Sequence, residues 1–443
     1  MRRITVINND RKERKNMNIA ELYELFLHYP KVVTDSRKCV PNSIFFALKG
    51  EKFDGNAFTE KALNEGCAYA VIDDAKYLKG DRTILVDNTL KALQQLAHRH
   101  RKMVGCPIIG ITGTNGKTTT KELIATVLSS KYNILYTEGN LNNSIGVPLT
   151  LLRLNHDHEM AVIEMGASHP GDIKELADIV LPNYGLITNV GRAHLEGFGS
   201  FEGVIKTKGE LYDYIRMSKG KIFINQNNPY LMEIGQGIEH ITYGFDEKAF
   251  TWGCVVSCNP YLIFDWRQQG KIHTVGTHLI GSYNLDNVLA AVAVGRYFKI
   301  PAERISRVIA AYEPTNNRSQ LMKTKTNELI IDAYNANPSS MKVALDNFAT
   351  MDVSPKAVIL GDMFELGPTS DELHAEVVSQ VKEGHYEKVF LCGEHFQRVG
   401  DGFTTFKTTD ELINALKDKS LEGYHILIKG SHGMAFEKIV PLL

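Results

Sequence analysis

The stretch PIIGITGTNGKTTTKELIATVLSS, residues 107–130, decides the fold of this protein. Its first part, 107–112, is an apolar run with the pattern of a buried strand, and 117–130 repeats apolar residues at helical spacing. The glycine-rich turn Gly113-Thr114-Asn115-Gly116 joins the two. A strand, a glycine-rich turn and a helix in this order predict a parallel α/β sheet with an anion-binding turn at one edge.

The turn and the first residues of the helix have the chemistry of a phosphate-binding loop. Glycine N–H groups approach phosphate oxygens closely, Lys117 reaches the β- and γ-phosphates, and the Thr118 hydroxyl suits Mg²⁺. The candidate phosphate residues are Gly113, Thr114, Asn115, Gly116, Lys117, Thr118 and Thr119. The match to G-x-x-x-x-G-K-[ST] is imperfect, because the first consensus glycine falls on Ile111. The alternative is an ordinary glycine-rich turn with a surface lysine.

Composition excludes several classes of protein. The chain has 443 residues, enough for about three domains, and is 43% hydrophobic and 23% charged, as in ordinary soluble proteins. Lys plus Arg total 50 against 51 for Asp plus Glu, which argues against a general nucleic-acid binder. No apolar run approaches the roughly 20 residues of a membrane span. Six scattered cysteines indicate free thiols, and the lack of targeting signals predicts the cytoplasm.

The pattern of apolar runs predicts an α/β protein of three domains behind a short extension. Residues 1–16 are basic and lack apolar periodicity, so we expect a disordered extension before a helix that starts at Met17. Residues 17–106 predict a small N-terminal α/β domain. Residues 107–314 predict a central parallel-sheet P-loop domain, with an antiparallel extension after Lys221. Residues 315–443 alternate strands and helices again and predict a Rossmann-like domain, without a G-x-G-x-x-G fingerprint.

Two further candidate residues follow buried strands. Glu164 lies in the apolar run 160–165, and His194 follows the run 184–190. Ligands sit beyond the carboxyl ends of parallel strands, so we expect both near the phosphate turn. Carboxylate oxygen suits Mg²⁺, whereas histidine is a less common partner. The alternatives are a structural cap for Glu164 and a loop histidine bonded to a backbone carbonyl for His194.

Other polar residues have simpler readings from residue chemistry alone. Lys206 and Lys208 share one predicted helix, and a solvated helix face is the favoured interpretation. Asn284 and Asn287 flank the start of another helix, where an N-cap role fits Asn284. Residues 332–338, DAYNANP, follow a strand, and a plain turn accounts for them equally well.

Together these residues resemble the Mur ligase family across nearly the whole chain. The matching segments are TDSRKCVPNSIFFALKGEKFDG (34–55), GITGTNGKTTTKE (110–122), EGNLNNSIGVP (138–148), VIEMGASHPGDI (162–173), TNVGRAHLEGFGSFEGVIKTKGE (188–210), GSYNLDNVLAA (281–291), NNRSQL (316–321), DAYNANPSSM (332–341), GDMFELG (361–367) and IKGSHGM (428–434). Ten ordered segments are far more specific than the phosphate turn alone.

The resemblance implies an activity and its partners. The three domains would bind the UDP part of a substrate, ATP and an incoming dipeptide, in that order. The reaction would be ATP-dependent ligation of D-alanyl-D-alanine to UDP-N-acetylmuramoyl-tripeptide through an acyl phosphate, giving ADP and phosphate, in peptidoglycan precursor synthesis. ATP and Mg²⁺ would be needed, and a monomer without nucleic-acid or membrane partners is expected.

The resemblance also implies roles for individual residues. The catalytic set would be Lys117, Glu164, His194 and Lys208. Magnesium would be held by Thr118, Glu164, His194 and Lys208, the last as a carbamylated lysine. ATP would also be contacted by Asn284, Asn287, Arg318 and, at the ribose, Asp332. The substrates would be contacted by Asp35, Ser36, Arg37, Asn140, Asn143, Asn335, Asn337, Lys429 and Ser431.

Three alternative functions remain at this point. Another Mur-type ligase is one, although the D-N-P-R motif of the diaminopimelate-adding enzymes is missing. A folylpolyglutamate-type amide ligase is another, but DAYNANP and GDMFELG fit it poorly. A non-catalytic P-loop switch is the third, and it would lack the set of Glu164, His194 and Lys208. Whether the third peptide residue is Lys or diaminopimelate is left open.

Overall fold

The structure is a computed structural model that describes residues 17–314, 320–419 and 421–443. The predicted extension 1–16 and the candidate Arg318 lie outside the described residues. The described chain forms two compact units. The first unit holds residues 17–108, 135–165 and 175–182, and the second holds residues 109–134, 166–174 and 183–443.

The elements alternate as the sequence predicts. The strands are β1 (Lys31–Val33), β2 (Ser43–Phe46), β3 (Lys49–Gly50), β4 (Phe53–Asp54), β5 (Tyr69–Ile72), β6 (Thr83–Leu85), β7 (Ile108–Thr112), β8 (Ile134–Tyr136), β9 (Met160–Glu164), β10 (Tyr184–Ile187), β11 (Lys221–Asn225), β12 (Glu239–Gly244), β13 (Thr251–Cys258), β14 (Tyr261–Gln268), β15 (Lys271–Ile280), β16 (Gln320–Lys323), β17 (Glu328–Asp332), β18 (Lys356–Gly361), β19 (Lys388–Cys392), β20 (Thr404–Phe406) and β21 (His425–Lys429). The helices are α1 (Ile19–His28), α2 (Thr59–Asn64), α3 (Thr89–Val104), α4 (Lys117–Ser129), α5 (Gly146–Leu151), α6 (Asp172–Val180), α7 (Leu195–Phe198), α8 (Phe201–Ser218), α9 (Pro229–Ile234), α10 (Asn284–Tyr297), α11 (Ala302–Ala310), α12 (Pro338–Thr350), α13 (Ser370–Glu383), α14 (Glu394–Val399) and α15 (Thr409–Asp418).

The first unit contains a four-stranded parallel sheet in the order β1-β2-β5-β6. Phe45 on β2 and Ile72 on β5 lie in its core. The helix α3 begins where the Asn88 side chain accepts the N–H of Lys91, and it ends at Gly105 in a left-handed conformation. An asparagine N-cap and a left-handed glycine at the C-terminus are common helix ends, so these two residues determine where α3 begins and ends. The small N-terminal α/β fold predicted from the sequence is confirmed.

The second unit contains strands in the order β15-β14-β13-β12-β11-β10-β7. The strands β7, β10, β11 and β12 pair in parallel, and β13 to β15 pair antiparallel. The predicted antiparallel extension therefore exists but begins at β13, not directly after Lys221. The reason is α9, which carries the chain back between β11 and β12 so that these two strands run in the same direction.

The second unit also contains a six-stranded sheet in the order β16-β17-β21-β18-β19-β20. Its strands are parallel except for the edge strand β16. Separate apolar clusters cover its faces, one around Leu345 and Phe348 and the other around Leu412 and Phe436. Helices on both faces of a parallel sheet make this fold Rossmann-like, as predicted.

The described helices include none that is long and apolar enough to cross a membrane. All six cysteines are free thiols.

Candidate functional site

The phosphate turn and the His194 segment leave the same edge of the sheet in the second unit. β7 and β10 are parallel neighbours, and Thr112 lies opposite Ile187 at their ends. Thr188 Oγ1 donates to the Asn115 carbonyl at 2.6 Å. Asn115 N donates to the Asn189 side-chain oxygen at 2.9 Å. The parallel register therefore brings the two segments together, as expected from the strand pattern.

A side chain at either glycine of the phosphate turn would overlap a neighbouring residue. Gly113 has a φ of +141°, and a Cβ there would lie 2.0 Å from Thr188 Oγ1. Gly116 has a φ of +75°, and its Cβ would lie 2.6 Å from Asn287 Oδ1. The helix α4 starts immediately afterwards, so the positive end of its dipole lies at this edge. The turn can bind an anion.

The Lys117 side chain lies over the turn that precedes it. Its Nζ donates to the carbonyl of Gly113 at 2.9 Å and to the carbonyl of Thr114 at 3.0 Å. The residue is half-buried, and the adjacent Thr118 is buried. A cation held at the mouth of an anion-binding turn can neutralise phosphate charge.

The His194 imidazole lies on the same edge, in a residue with a left-handed φ of 50°. Its Nδ1 is hydrogen-bonded to the carboxylate of Glu365, and its ring contacts Phe198 edge-on at 6.0 Å between centroids. Burial lowers the pKa of His194, the charges of Lys117 and Lys208 act in the same direction, and Glu365 opposes them. A lowered pKa favours the neutral ring, which is the form that a metal ion binds.

The structure separates the two lysines of α8. Lys206 is exposed, whereas Lys208 is only 2% exposed. The solvated-face interpretation is correct for Lys206 and wrong for Lys208. Lys208 Nζ lies 3.4 Å from the Ala167 carbonyl and 5.0 Å from the centre of the Phe198 ring. Burial and the charge of Lys117 lower the pKa of Lys208 to about 7.

Glu164 belongs to the first unit, where it ends β9 and is buried. Its Oε1 accepts from Asn142 Nδ2 at 2.8 Å, and its N–H donates to Thr137 Oγ1 at 2.9 Å. Asn143 instead accepts the N–H groups of Ile145 and Gly146 at the start of α5. Sequence reasoning chose Asn140 and Asn143 and missed Asn142, because three asparagines within four residues give no clue to which one faces the carboxylate.

The candidate uridine residues form a short turn in the first unit. The Asp35 carboxylate accepts from the Arg37 N–H at 2.9 Å and from its guanidinium at 2.8 Å. This pairing with Arg37 holds the pKa of Asp35 well below its ordinary value. Ser36 between them is buried. The three residues therefore hold a preformed shape, and their role toward uridine stays a prediction.

Asn284 and Asn287 are both buried and bonded to each other in the second unit. Asn287 Nδ2 donates to Asn284 Oδ1 at 2.8 Å, and Asn284 Nδ2 donates to the Ile280 carbonyl at 2.8 Å. Thr120 Oγ1 donates to Asn287 Oδ1 at 2.9 Å, which ties α10 to α4. Asn284 is the first residue of α10 and not its N-cap, so the N-cap interpretation is wrong.

The turn before α12 contacts the phosphate turn. Asn337 caps α12 by accepting the N–H of Ser340, and its Nδ2 donates to Asn115 Oδ1 at 2.8 Å. Ser339 Oγ accepts the N–H of Arg192 at 3.1 Å. The turn that follows β17 of the six-stranded sheet therefore contacts the edge that carries the phosphate turn and His194. We call this edge the nucleotide edge. The sequence identified Asn337, but a contact with Asn115 across 222 residues has no sequence signal.

The remaining candidates lie at or just after the ends of the neighbouring strands β17 and β21. Lys429 is buried and donates to Asp332 at 2.6 Å and to the Asn335 carbonyl at 3.2 Å. Ser431 Oγ accepts the N–H of Phe364 at 3.0 Å. Their roles toward ribose and substrate stay predictions.

The donor set suits magnesium that arrives with a nucleotide. Within the described ranges, no three His, Cys, Asp or Glu side chains cluster closely enough to hold a metal by themselves. Mg²⁺ at nucleotide sites takes one or two carboxylates and completes its shell with phosphates and water. In the second unit, the Thr118 hydroxyl and the His194 imidazole are donors of that kind. In the first unit, the buried Glu164 carboxylate is another.

Comparisons with known proteins agree with this arrangement. Three family models match successive parts of the chain. They are described as the Mur ligase family catalytic domain (28–101), the Mur ligase middle domain (111–295) and the Mur ligase glutamate ligase domain (317–432). Their order follows that of the three predicted domains.

Individual relatives match over almost their entire length. The UDP-N-acetylmuramoyl-tripeptide–D-alanyl-D-alanine ligase of Bacillus subtilis is 34% identical and covers 97% of this chain and 98% of its own. A crystal structure of MurF from Acinetobacter baumannii is 29% identical with a TM-score of 0.84, covering 93% and 92%. A MurF ligase from Thermotoga maritima in complex with ADP is 25% identical with a TM-score of 0.83, covering 94% and 97%. With the phosphate turn, the buried lysine and the full-length matches in agreement, this chain belongs to the Mur ligase family.

Proposed function

We propose that the protein is an ATP-dependent ligase that joins D-alanyl-D-alanine to UDP-N-acetylmuramoyl-tripeptide during the synthesis of peptidoglycan precursors. The observation that carries the proposal is the nucleotide edge of the second unit. There Lys117, His194 and Lys208 gather beside a glycine turn that also touches Asn337. Relatives that match the full chain bear the name of this activity. A cytoplasmic reaction is part of the proposal, and the use of ATP and a UDP-linked substrate supports it.

The reaction needs an activated acyl donor, because a carboxylate is a poor one. A carboxylate oxygen of the tripeptide attacks the γ-phosphorus of ATP, the bond to the bridging oxygen breaks, and ADP leaves. The amine of the dipeptide then attacks the acyl carbon, phosphate leaves with the bonding electrons, and the nitrogen loses a proton. Lys117 and the N-terminus of α4 stabilise charge on the transferring phosphoryl group.

Magnesium would be held by Thr118, Glu164 and His194, with Lys208 contributing as a carbamate. When bound, the ion neutralises negative charge on the phosphates. The buried Lys208 amine, with its pKa lowered to about 7, can lose its proton and bond to carbon dioxide. The product replaces a buried cation with an oxygen-rich anion, which a divalent cation prefers.

The further contacts follow the family roles. Asn284, Asn287, Arg318 and Asp332 would serve the nucleotide, and Asp35, Ser36 and Arg37 the uridine. The other substrate contacts would come from Asn140, Asn143, Asn335, Asn337, Lys429 and Ser431. In the second unit, domain closure over the nucleotide edge would exclude water from the acyl phosphate.

A product assay tests the proposal. The purified protein is incubated with ATP, Mg²⁺, D-alanyl-D-alanine and either the lysine or the diaminopimelate form of the UDP-muramoyl-tripeptide. We expect the pentapeptide product by mass spectrometry and one ADP per product. D-Alanine alone and L-alanyl-L-alanine should react poorly. Equal turnover with any amino acid would point to another ligase. Slow ADP release that stays the same with and without both substrates would point to a switch.

A further inference from the structure

The loop at residues 361–367, GDMFELG, brings a carboxylate to the nucleotide edge that the sequence did not single out. Glu365 in this loop is hydrogen-bonded through its carboxylate to His194 Nδ1, 171 residues away. The Glu365 carbonyl also accepts the N–H of Glu196 at 3.3 Å. This one residue of the loop after β18 therefore contacts the His194 segment through both its side chain and its backbone.

The 361–367 loop is fixed by its own anchors, independently of His194. The Asp362 carboxylate accepts the N–H groups of His395 and Phe396 at the start of α14, at 2.9 and 3.0 Å. The N–H of Met363 donates to His374 Nε2 at 2.9 Å, and the N–H of Phe364 donates to Ser431 Oγ at 3.0 Å. These three successive anchored residues restrict the position of Glu365, which follows them directly.

The backbone at the contact is unusual on both sides. Glu365 has a φ of 62° and His194 a φ of 50°. Left-handed conformations cost energy in residues other than glycine, and they persist where the surroundings impose them, often at functional sites. The Glu365 side chain is 57% exposed and that of His194 is 29% exposed, so burial of apolar surface does not explain the contact.

We propose that Glu365 is a positioning residue that accepts the Nδ1–H of His194 and so leaves the Nε2 lone pair for the metal. A histidine that binds a metal normally donates its other ring N–H to a carboxylate or carbonyl, which fixes the tautomer and the ring orientation. The 361–367 loop therefore favours the tautomer of His194 that can bind a metal. The metal site depends on the hydrogen bond between Glu365 and His194. The inference rests on the proposed role of His194 as a magnesium ligand.

The tautomer can be read without substrate or metal. Histidine-selective ¹⁵N labelling of the full chain gives signals from 15 histidines, and a His194→Gln variant identifies the His194 signal. Above neutral pH we expect the Nδ1–H tautomer of His194 in the unmodified protein. We expect a shift toward the Nε2–H tautomer, which neutral histidine prefers in water, in Glu365→Ala. An unchanged tautomer in Glu365→Ala overturns the inference, while the product assay still tests the ligase proposal separately.

Magnesium binding gives a second readout. We measure how much Mg²⁺ is needed for half-maximal binding of a non-hydrolysable ATP analogue. Glu365→Ala should raise that concentration about 10-fold or more, the usual cost of losing such a partner. Glu365→Gln, which keeps an acceptor oxygen, should retain part of the affinity. Glu372→Gln, an exposed glutamate on α13, is the matched control and should behave like the unmodified protein. Equal Mg²⁺ dependence in Glu365→Ala and the control overturns the inference.

Discussion

At the residue scale, Lys208 has lost the hydration that a lysine ammonium normally keeps. Removing that water disfavours the charged form, and the neighbouring Lys117 charge adds to the effect. Asp172 and Glu210 offset this only in part. A neutral amine beside the phosphate turn is a nucleophile, which makes carbon dioxide a suitable reaction partner.

We expect Lys208→Ala to be nearly inactive in the product assay, because the carboxylate formed by carbamylation would be lost. Acetate or formate should restore part of the turnover by filling the space that the side chain leaves. The exposed Lys206 on the same helix is the control, and Lys206→Ala should retain most activity. A Lys208→Ala variant with near-normal turnover would contradict the carbamate.

The half-buried Lys117 side chain donates to two backbone carbonyls of its own turn. We therefore expect Lys117→Ala to abolish ligation by removing charge stabilisation of the phosphoryl group, while thermal unfolding shifts little. Circular dichroism melts and the product assay together check this. A folded variant that still ligates would remove Lys117 from the ATP site.

At the element scale, the β7–α4 turn has no room for a side chain at Gly113. The Cβ in Gly113→Ala would overlap Thr188, so the turn must move away from the 188–194 segment. We expect loss of nucleotide binding and a destabilisation of about 1–3 kcal/mol. Gly105→Ala is the matched control, since Gly105 also has a positive φ but has no atom within 4 Å of its Cβ. Equal effects of both substitutions on nucleotide binding would argue against the clash.

The first turn of α10 contains a buried carboxyl group, that of Asp286, which binds a proton more readily than an exposed aspartate does. Burial raises the pKa of Asp286 to about 6 from 3.8, although a hydrogen bond from Asn225 opposes the shift. The folded state therefore holds more protons than the unfolded state between these values, so its stability falls as the pH rises through that window. We expect Asp286→Asn to raise the free energy of unfolding by up to about 3 kcal/mol above pH 7. The gain should shrink near pH 4, and an equal gain at both pH values in denaturant melts would contradict the burial argument.

Element boundaries followed the sequence wherever periodicity and capping agreed. The helix α4 ends one residue before the end of the predicted range 117–130, and the strand β7 starts one residue after the start of the predicted range 107–112. The edge strands β16 and β20 were missed because three or four half-buried residues give no clear alternation. The parallel pairing of β11 and β12 was missed because the short helix α9 was not recognised.

At the scale of the whole molecule, the second unit joins the ATP turn to loops of the six-stranded sheet. If those loops belong to the dipeptide site, nucleotide turnover should depend on both substrates. We expect ADP release to be slow with either the UDP-muramoyl-tripeptide or the dipeptide alone, and fast with both. A coupled ADP assay measures this. Fast ADP release with the tripeptide alone would contradict the dependence.

The sequence predicted the layout of the molecule better than its long-range contacts. Parallel strand order places Gly113 and His194 at one edge, and this follows from the order of strands and helices alone. The Asn337–Asn115 and Glu365–His194 bonds join residues whose separation along the chain has no periodic signature. The same limit applied to Lys208, because two lysines two residues apart look alike until the packing of α8 is known.

The anchored 361–367 loop has a consequence for inhibition. Hydrogen bonds to the N–H groups of Met363 and Phe364 order this loop independently of His194, so Glu365 loses little further conformational entropy in its contact. A small carboxylic acid from solution would have to displace this positioned carboxylate. An inhibitor aimed at His194 therefore needs contacts of its own with the surrounding residues, because a bare carboxylate competes poorly.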